Sequence, residues 1–233
     1  MTLQVIEIFA SIEGEGNHVG TPTVFVRLAG CSIGCAWCDT KESWNSSNGT
    51  SYSGELLFQK TKSLAQKYGI ERVSITGGNP MESTYSDLID FILLCRDNRY
   101  SVNIEHPGIF LDKAKEIKIL NTLCIADTVT IDIKPPSSKV QMKVDDFIEV
   151  LGHIKGPLIF IKAVFETKED LIFIDDFLSQ VNRFRYATFS IQPCIDTEFN
   201  SQVIVDNKDF ILKVLTSHKG NLIPQIHKFI GME

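Results

Sequence analysis

Three cysteines lie within eight residues of the sequence, and thiols this close together can converge on a metal centre. The run is Cys31-Ser-Ile-Gly-Cys35-Ala-Trp-Cys38. A tetrahedral zinc site or an ordinary iron–sulfur cluster normally takes a fourth protein ligand, but the nearest histidine, His18, precedes the run by thirteen residues. Three thiolates on a four-iron cube instead leave one iron open to a small molecule. A zinc knuckle and three unrelated buried thiols are the alternatives.

Two further features could bind a ligand near such a centre. The run Gly77-Gly78-Asn79-Pro80 follows a predicted strand, so it is either a backbone nest whose N–H groups hold a ligand or a plain turn. Arg27 lies in the middle of an apolar strand. Its guanidinium either faces inward and grips a carboxylate through paired hydrogen bonds, or faces solvent on an edge strand.

Charged residues at two other places allow two interpretations each. Glu13 and Glu15 are either solvated loop charges or acceptors for the N–H groups of a heterocycle. Asp132 and Lys134 flank one residue at a predicted strand end and therefore point to the same side. They either pair with each other or contact a ligand. His227 follows the last predicted strand, where a lone histidine is more often structural.

The elements that must position these residues alternate between strands and helices. We predict strands over 5–10, 23–28, 72–76, 100–105, 128–133, 158–164 and 187–192, with a last extended run over 222–226. We predict helices over 53–68, 87–97, 111–120, 145–153, 168–181 and 206–217. This alternation indicates parallel strands joined by right-handed crossovers. We therefore expect an α/β fold, an open partial barrel of about six parallel strands, as one domain over residues 1–233. The active site should lie at the carboxyl ends of the strands.

Composition narrows the class of protein. The chain has 233 residues, 43% of them hydrophobic, and a net charge of -6, which argues against a broad nucleic-acid surface. No apolar stretch approaches the roughly 20 residues needed to span a bilayer, and no signal peptide is visible. Six cysteines with three clustered do not resemble a secreted disulfide framework. We expect a soluble cytoplasmic protein that binds neither nucleic acid nor membrane.

The cysteine spacing resembles that of the radical S-adenosylmethionine (SAM) enzymes, in which the open iron chelates SAM and an electron from the cluster cleaves it to a 5′-deoxyadenosyl radical. A longer stretch is similar to the opening of the 7-carboxy-7-deazaguanine synthase (QueE) family. The matching segments are Ser11-Ile-Glu-Gly-Glu-Gly16, Gly20-Thr-Pro22, Phe25-Val-Arg27-Leu-Ala-Gly30-Cys31, Cys38-Asp39-Thr40, Lys134-Pro-Pro-Ser-Ser138 and Gln225-Ile-His227-Lys228. The similarity therefore extends over residues 11–228.

This chain departs from the family pattern at three places. Glu13 stands where Gln is common, and Glu105-His-Pro-Gly108 stands where many members have Glu-Thr-x-Gly-Thr. Asn79 replaces the Glu of the Gly-Gly-Glu-Pro segment that holds the SAM amino group in radical SAM enzymes. An amide oxygen can still accept a hydrogen bond from an ammonium group, although without charge assistance.

The resemblance implies a lyase of queuosine-type 7-deazapurine biosynthesis. It implies ring contraction of 6-carboxy-5,6,7,8-tetrahydropterin to 7-carboxy-7-deazaguanine, with loss of ammonia. The implied cofactors are a [4Fe–4S] cluster, SAM and Mg²⁺. An electron donor such as flavodoxin or ferredoxin would supply the electron. The resemblance is also compatible with a homodimer. Carried over by residue, Cys31, Cys35 and Cys38 hold the cluster and Thr40 binds Mg²⁺. Trp37, Asp39, Gly78, Asp132 and Lys134 contact SAM, and Ile12, Glu13, Gly14, Glu15, Arg27, Thr76 and His227 contact the pterin.

Two other classes share part of this pattern. The same cysteine spacing serves activating enzymes that place a glycyl radical on a partner protein, but those enzymes need no Glu-Gly-Glu-Gly loop. A zinc-binding or cluster-carrier module without catalytic activity is the other class. It predicts a colourless zinc protein, or a cluster that leaves SAM intact.

Overall fold

Nine strands form one sheet in a computed structural model, which describes residues 2–109, 122–181, 188–194 and 202–231. The strands are β1 (Leu3–Ile12), β2 (Pro22–Leu28), β3 (Thr50–Tyr52), β4 (Arg72–Gly77), β5 (Ser101–His106), β6 (Thr128–Ile133), β7 (Leu158–Phe165), β8 (Thr188–Pro193) and β9 (Asn221–Leu222). Their order across the sheet is β3-β1-β2-β4-β5-β6-β7-β8-β9. Strand β1 is antiparallel to β2 and β3, and every pair from β2 to β9 is parallel. Within the described residues β3 and β9 do not pair, so the predicted open, partial barrel is confirmed.

The helices are α1 (Gly54–Tyr68), α2 (Tyr85–Asp97), α3 (Val144–His153), α4 (Lys168–Val181), α5 (Gln202–Asp206), α6 (Lys208–His218) and α7 (Ile226–Ile230). The α1 prediction is confirmed at both ends: Ser53 Oγ accepts a hydrogen bond from the Leu56 N–H at 3.2 Å, and Gly69 ends the helix at a φ of 68°. The predicted helix over 111–120 lies outside the described residues.

The predicted helix over 206–217 is confirmed as α6 (Lys208–His218), and the short helix α5 before it was not predicted. One prediction at the end of the chain was wrong in detail. The predicted extended run over 222–226 is shorter, because β9 ends at Leu222 and α7 begins at Ile226. None of the helices in the described part of the chain has the length and apolar character of a membrane span.

Alternation along the parallel strands gives the sheet two chemically different faces. One face is apolar and buried against the helices, as in β6, where Val129, Ile131 and Ile133 belong to the main hydrophobic core. The other face carries most of the polar residues of these strands, together with a few apolar ones such as Phe160 and Val164. Its polar residues are Arg72, Ser74, Thr76, Asn103, Glu105, Thr128, Thr130, Asp132, Lys162, Ser190 and Gln192. The barrel interior is therefore built to bind polar ligands at its open end.

Candidate active site

The cysteine loop leaves β2 and is fixed by hydrogen bonds on several sides. The Cys31 N–H donates to the Trp44 carbonyl at 3.0 Å, and the Ala36 N–H donates to the Ser138 carbonyl at 2.9 Å. Trp44 Nε1 lies 3.3 Å from Cys38 Sγ. All three thiols of the loop are free and half-buried. The sequence therefore folds the loop so that the three sulfurs reach one cavity without a disulfide between them.

Other groups that can bind metals share the cavity with the three loop sulfurs. Cys194, which follows β8, lines it, and so do His106 and His227. One carboxylate oxygen each of Glu15 and Asp39 and one ring nitrogen of His227 lie within 4.8 Å of one another. Three thiols supplied by one short loop suit an iron–sulfur cluster.

A second contact anchors the loop from the side of the sheet. Glu82 accepts hydrogen bonds from Ser32, at 3.0 Å from both the backbone N and the side-chain Oγ. The backbone N–H groups of Gly78 and Asn79 donate to the carbonyls of Leu28 and Gly30, each at 2.7 Å. The turn after β4 is therefore joined directly to the cysteine loop.

This bonding corrects one expectation about the turn. The N–H groups of Gly78 and Asn79 are engaged within the protein, so the interpretation as a backbone nest was wrong for these two groups. The Asn79 side chain is also engaged, because its Oδ1 accepts from the Met81 N–H at 3.0 Å and caps a short 3₁₀ turn over Pro80–Glu82. The turn nevertheless lines the cavity through Gly77, Gly78 and Asn79.

Asp132 and Lys134 pair with each other, as one of the two interpretations anticipated. Lys134 Nζ lies 2.7 Å from Asp132 Oδ2 and 5.3 Å from the centroid of the Trp37 ring. Burial opposes ionisation of Asp132, but Lys134 and Lys162 lower the pKa of its carboxyl. The pair also lines the cavity beside the cysteine loop. Pairing and contact with a ligand are therefore compatible.

The Glu-Gly-Glu-Gly loop between β1 and β2 forms the opposite wall. Burial alone would raise the pKa of the Glu15 carboxyl, but the Lys162 ammonium, 2.7 Å away, lowers it to about 2. Glu13 is buried, and its Oε2 has no hydrogen-bond partner within the described residues. Burial, together with the neighbouring Glu105 and Glu15, raises the pKa of Glu13 to about 8. The two carboxyl groups therefore differ in charge at neutral pH.

Helix α7 closes the cavity against this loop. The Ile226 N–H donates to the Gly14 carbonyl at 3.0 Å, and the His227 ring occupies the space that a side chain at position 14 would fill. Gln225 Nε2 donates to Glu15 Oε1 at 2.6 Å. The absence of a Cβ at Gly14 is thus what lets His227 reach the cavity.

Thr40 lies between the cysteine loop and the carboxylates. Its Oγ1 is 3.6 Å from Cys38 Sγ, and its carbonyl accepts from Ser43 Oγ at 2.6 Å. The next residue back, Asp39, belongs to the group of three ligand atoms formed with Glu15 and His227. Hard oxygen donors for a cation such as Mg²⁺ are therefore present beside Thr40.

All sixteen residues predicted to contact a cofactor or substrate line one cavity of about 240 Å³. Their individual roles stay predictions. The sequence analysis missed Lys162, which is buried on β7, and did not assign roles to Glu105 or Gln225, which also line the cavity. Lys162 carried the same signal as Arg27, a lone cation inside an apolar strand.

The fold and the three-thiol cavity define a radical SAM enzyme, and the sequence profile of the Radical SAM superfamily matches residues 25–155. The 7-carboxy-7-deazaguanine synthase of Thermoplasma acidophilum is 31% identical over 229 residues, covering 97% of this chain and 96% of that protein. The enzyme of the same name from Bacillus subtilis is 30% identical over 179 residues, covering 73% and 69%. This chain belongs to the 7-carboxy-7-deazaguanine synthase family.

A solved structure agrees with the architecture. The crystal structure of QueE from Escherichia coli superposes with a TM-score of 0.67, covering 96% of this chain and 94% of that one. The two sequences are 23% identical, so this comparison supports the fold alone.

Proposed function

We propose that this chain converts 6-carboxy-5,6,7,8-tetrahydropterin to 7-carboxy-7-deazaguanine with loss of ammonia. The observation that carries the proposal is the arrangement of the cavity. The three thiols of the cysteine loop share this cavity with the carboxyl groups of Glu13 and Glu15 and with the Arg27 guanidinium. Family membership supplies the reaction, and this cavity supplies groups of the right chemistry for its ligands.

The cysteine loop fits a [4Fe–4S] cluster, because it presents three free, half-buried thiols to one cavity. When bound, the cluster and SAM supply the one-electron chemistry that begins a radical reaction. The protein's own contribution is to place the ligands and exclude other hydrogen donors. Asp132, Lys134, Trp37, Asp39 and Gly78 would hold SAM. Of these, the ionised Asp132 suits hydroxyl donors, and the buried Lys134 suits a carboxylate.

The opposite wall would hold the pterin. Its amino-pyrimidinone edge presents N–H donors, which suit the ionised Glu15 and the acceptor oxygen of Glu13. Its carboxylate suits the Arg27 guanidinium, which lines the same cavity. Ile12, Gly14, Thr76 and His227 complete this wall. Mg²⁺ bound at Thr40 would lie between the two walls and favour the same orientation of the carboxylate.

Two features of the proposal concern partners. A one-electron donor is required, and a flavodoxin or a ferredoxin is of the right class. A homodimer is consistent with the family.

Anaerobic reconstitution with iron and sulfide tests the proposal. We expect a protein with visible iron–sulfur absorbance that, given SAM, a reductant and the carboxy-tetrahydropterin, forms 7-carboxy-7-deazaguanine detectable by mass spectrometry. The matched control replaces the substrate with 5,6,7,8-tetrahydropterin, which lacks the carboxylate that Arg27 would bind. A colourless zinc protein, or SAM cleavage without product from the pterin, would contradict the proposal.

A further inference from the structure

Lys162 is the buried centre of a charge network that spans the cavity. Its Nζ lies 2.7 Å from Glu15 Oε2, 3.5 Å from Asp132 Oδ1 and 3.7 Å from Glu105 Oε2. The lysine side chain is only 6% exposed. Only the Glu15 contact is short enough for a strong hydrogen bond. The three carboxylates come from the loop after β1, from β6 and from β5, so one ammonium group joins three separate elements.

The network continues on both sides of Lys162. Toward the cysteine loop, the second oxygen of Asp132 accepts from Lys134 Nζ at 2.7 Å, and Lys134 lies over the Trp37 ring. Toward α7, the second oxygen of Glu15 accepts from Gln225 Nε2 at 2.6 Å, and Gln225 Oε1 accepts from Lys228 Nζ at 2.7 Å. Lys162 is the link between these two halves.

In the proposed function, the two halves of the network contact different ligands. Asp132, Lys134 and Trp37 lie on the SAM side, and Glu15, with Gln225 bonded to it, lies on the pterin side. We propose that Lys162 is a positioning residue that couples the two sites, so that binding of either ligand raises the affinity for the other. This inference rests on the proposed function, because it assigns the Glu15 side of the cavity to the pterin.

The coupling should be positive, because a ligand that orders the side chains of the network lowers the entropic cost of binding the second ligand. A ligand that binds Asp132 restrains this carboxylate and, through Lys162, the Glu15 carboxylate as well. A second ligand then meets a carboxylate that is already ordered and loses less conformational entropy on binding. Allosteric coupling between two sites is reciprocal and commonly amounts to about 5- to 150-fold in affinity.

Charge balance decides which variants are informative. Lys162→Met keeps the length of the side chain but leaves three carboxylates without their shared cation, which risks unfolding. The double variant Lys162→Met, Glu105→Gln removes one cation and one anion and keeps the net charge of the group. Thr130→Val is the matched control: Thr130 is buried on β6 in the same barrel interior and hydrogen-bonds Asn103 at 3.2 Å, outside the network.

The experiment measures the dissociation constant of 6-carboxy-5,6,7,8-tetrahydropterin with and without saturating SAM, on reconstituted protein whose cluster is oxidised so that no turnover occurs. We expect SAM to tighten pterin binding at least about fivefold in the wild type and in Thr130→Val. In Lys162→Met and in the double variant the ratio should fall to about one. A purely structural lysine would weaken both ligands and leave the ratio unchanged.

Four results separate the possibilities. A wild-type ratio near one overturns the coupling role of Lys162 and leaves the proposed function standing. An undiminished ratio in the double variant, while both ligands bind, does the same. A wild type that binds SAM but not the pterin overturns the proposed function, and the coupling with it. Loss of the ratio in the double variant, with the ratio kept in Thr130→Val, supports the inference.

Discussion

Arg27 and Glu7 form an ion pair across β1 and β2, with 2.6 Å between Arg27 Nε and Glu7 Oε1. The register of β1 shifts between Val5 and Glu7, and this irregularity sets Glu7 opposite Arg27. The guanidinium also lies 5.3 Å from the centroid of the Phe9 ring. Its orientation is therefore fixed by the protein before any ligand arrives.

Replacement of Arg27 tests its role toward the pterin carboxylate. We expect Arg27→Ala to weaken pterin binding by about 2–5 kcal/mol, as for a lost charge partner. Arg27→Lys should rescue only part, because lysine lacks the planar fork. The control is Glu7→Gln, which should change affinity by less than about 1 kcal/mol because Glu7 is half-exposed. Calorimetry measures both, and an unchanged affinity in Arg27→Ala would exclude the contact.

The thiols divide into two groups by position. Cys31, Cys35 and Cys38 line the cavity from one loop, and Cys194 lines it from the end of β8, whereas Cys95 is fully buried in the core and Cys124 contacts the backbone of His153 and Lys155. Replacing any of the first three with Ala should abolish SAM cleavage, because the cluster loses a ligand. Cys124→Ala and Cys95→Ala should retain it. Measurement of 5′-deoxyadenosine decides, and full cleavage by Cys35→Ala would refute the assignment.

Thr40 is predicted to carry the response to Mg²⁺. Thr40→Val is nearly isosteric but lacks the oxygen, so it should lose most of the stimulation of turnover by Mg²⁺, and Thr40→Ser should keep part of it. The assay compares turnover after chelation with turnover after Mg²⁺ is restored. Equal stimulation in the wild type and in Thr40→Val would show that Thr40 is only a turn residue and does not bind Mg²⁺.

Gly14 is predicted to determine where His227 lies. A Cβ added by Gly14→Ala would collide with the His227 ring and force α7 away from the loop. Overpacking of this kind costs about 1–3 kcal/mol. We expect weaker pterin binding by about that amount and unchanged SAM affinity measured without pterin. Gly152→Ala, where a Cβ meets nothing within 4 Å, is the control. Normal pterin affinity in Gly14→Ala would show that α7 does not contribute.

Glu13 is predicted to make stability fall as pH rises. Because its pKa is raised from 4.5 to about 8, the folded protein keeps a proton that the unfolded chain has lost between these values. This carboxyl therefore lowers the free energy of unfolding progressively over that range, by at most about 1.4 kcal/mol per pH unit. Glu13→Gln should stabilise the protein more at pH 8 than at pH 5. Unfolding curves at both values measure the difference, and a constant difference would refute the prediction.

Much of the fold follows from the pattern of the sequence alone. The strand over Thr128–Ile133 and the helix over Lys168–Val181 have the predicted bounds, because apolar periodicity and flanking polar residues mark both ends. Helix α5 was not predicted, because its apolar run Val203–Val205 is too short to show a helical period and the polar run Asp206-Asn207-Lys208-Asp209 separates it from the apolar residues of α6. The end of the chain was also misjudged, because α7 depends on a contact with distant Gly14.

The site was predictable where a residue stands out from its neighbours. The clustered cysteines and the Glu-Gly-Glu-Gly loop can be recognised directly in the sequence. The role of Asn79 depends on its hydrogen bond with the Met81 N–H, which residue spacing does not indicate. Lys162 could have been found by the argument used for Arg27. Its three carboxylate partners are far apart in sequence, so only the folded sheet shows that they meet at one ammonium group.

The backbone N–H groups of Gly78 and Asn79 donate hydrogen bonds to the carbonyls of Leu28 and Gly30. Because of these bonds, the turn after β4 and the cysteine loop should move together. Amide protons buried in such bonds exchange with solvent only when the bonds open. Departure of a cluster would relax the loop and, through these two bonds, the turn after β4. The amides of Gly78 and Asn79 are thus built-in reporters, readable by hydrogen–deuterium exchange, of whether the cysteine loop is loaded.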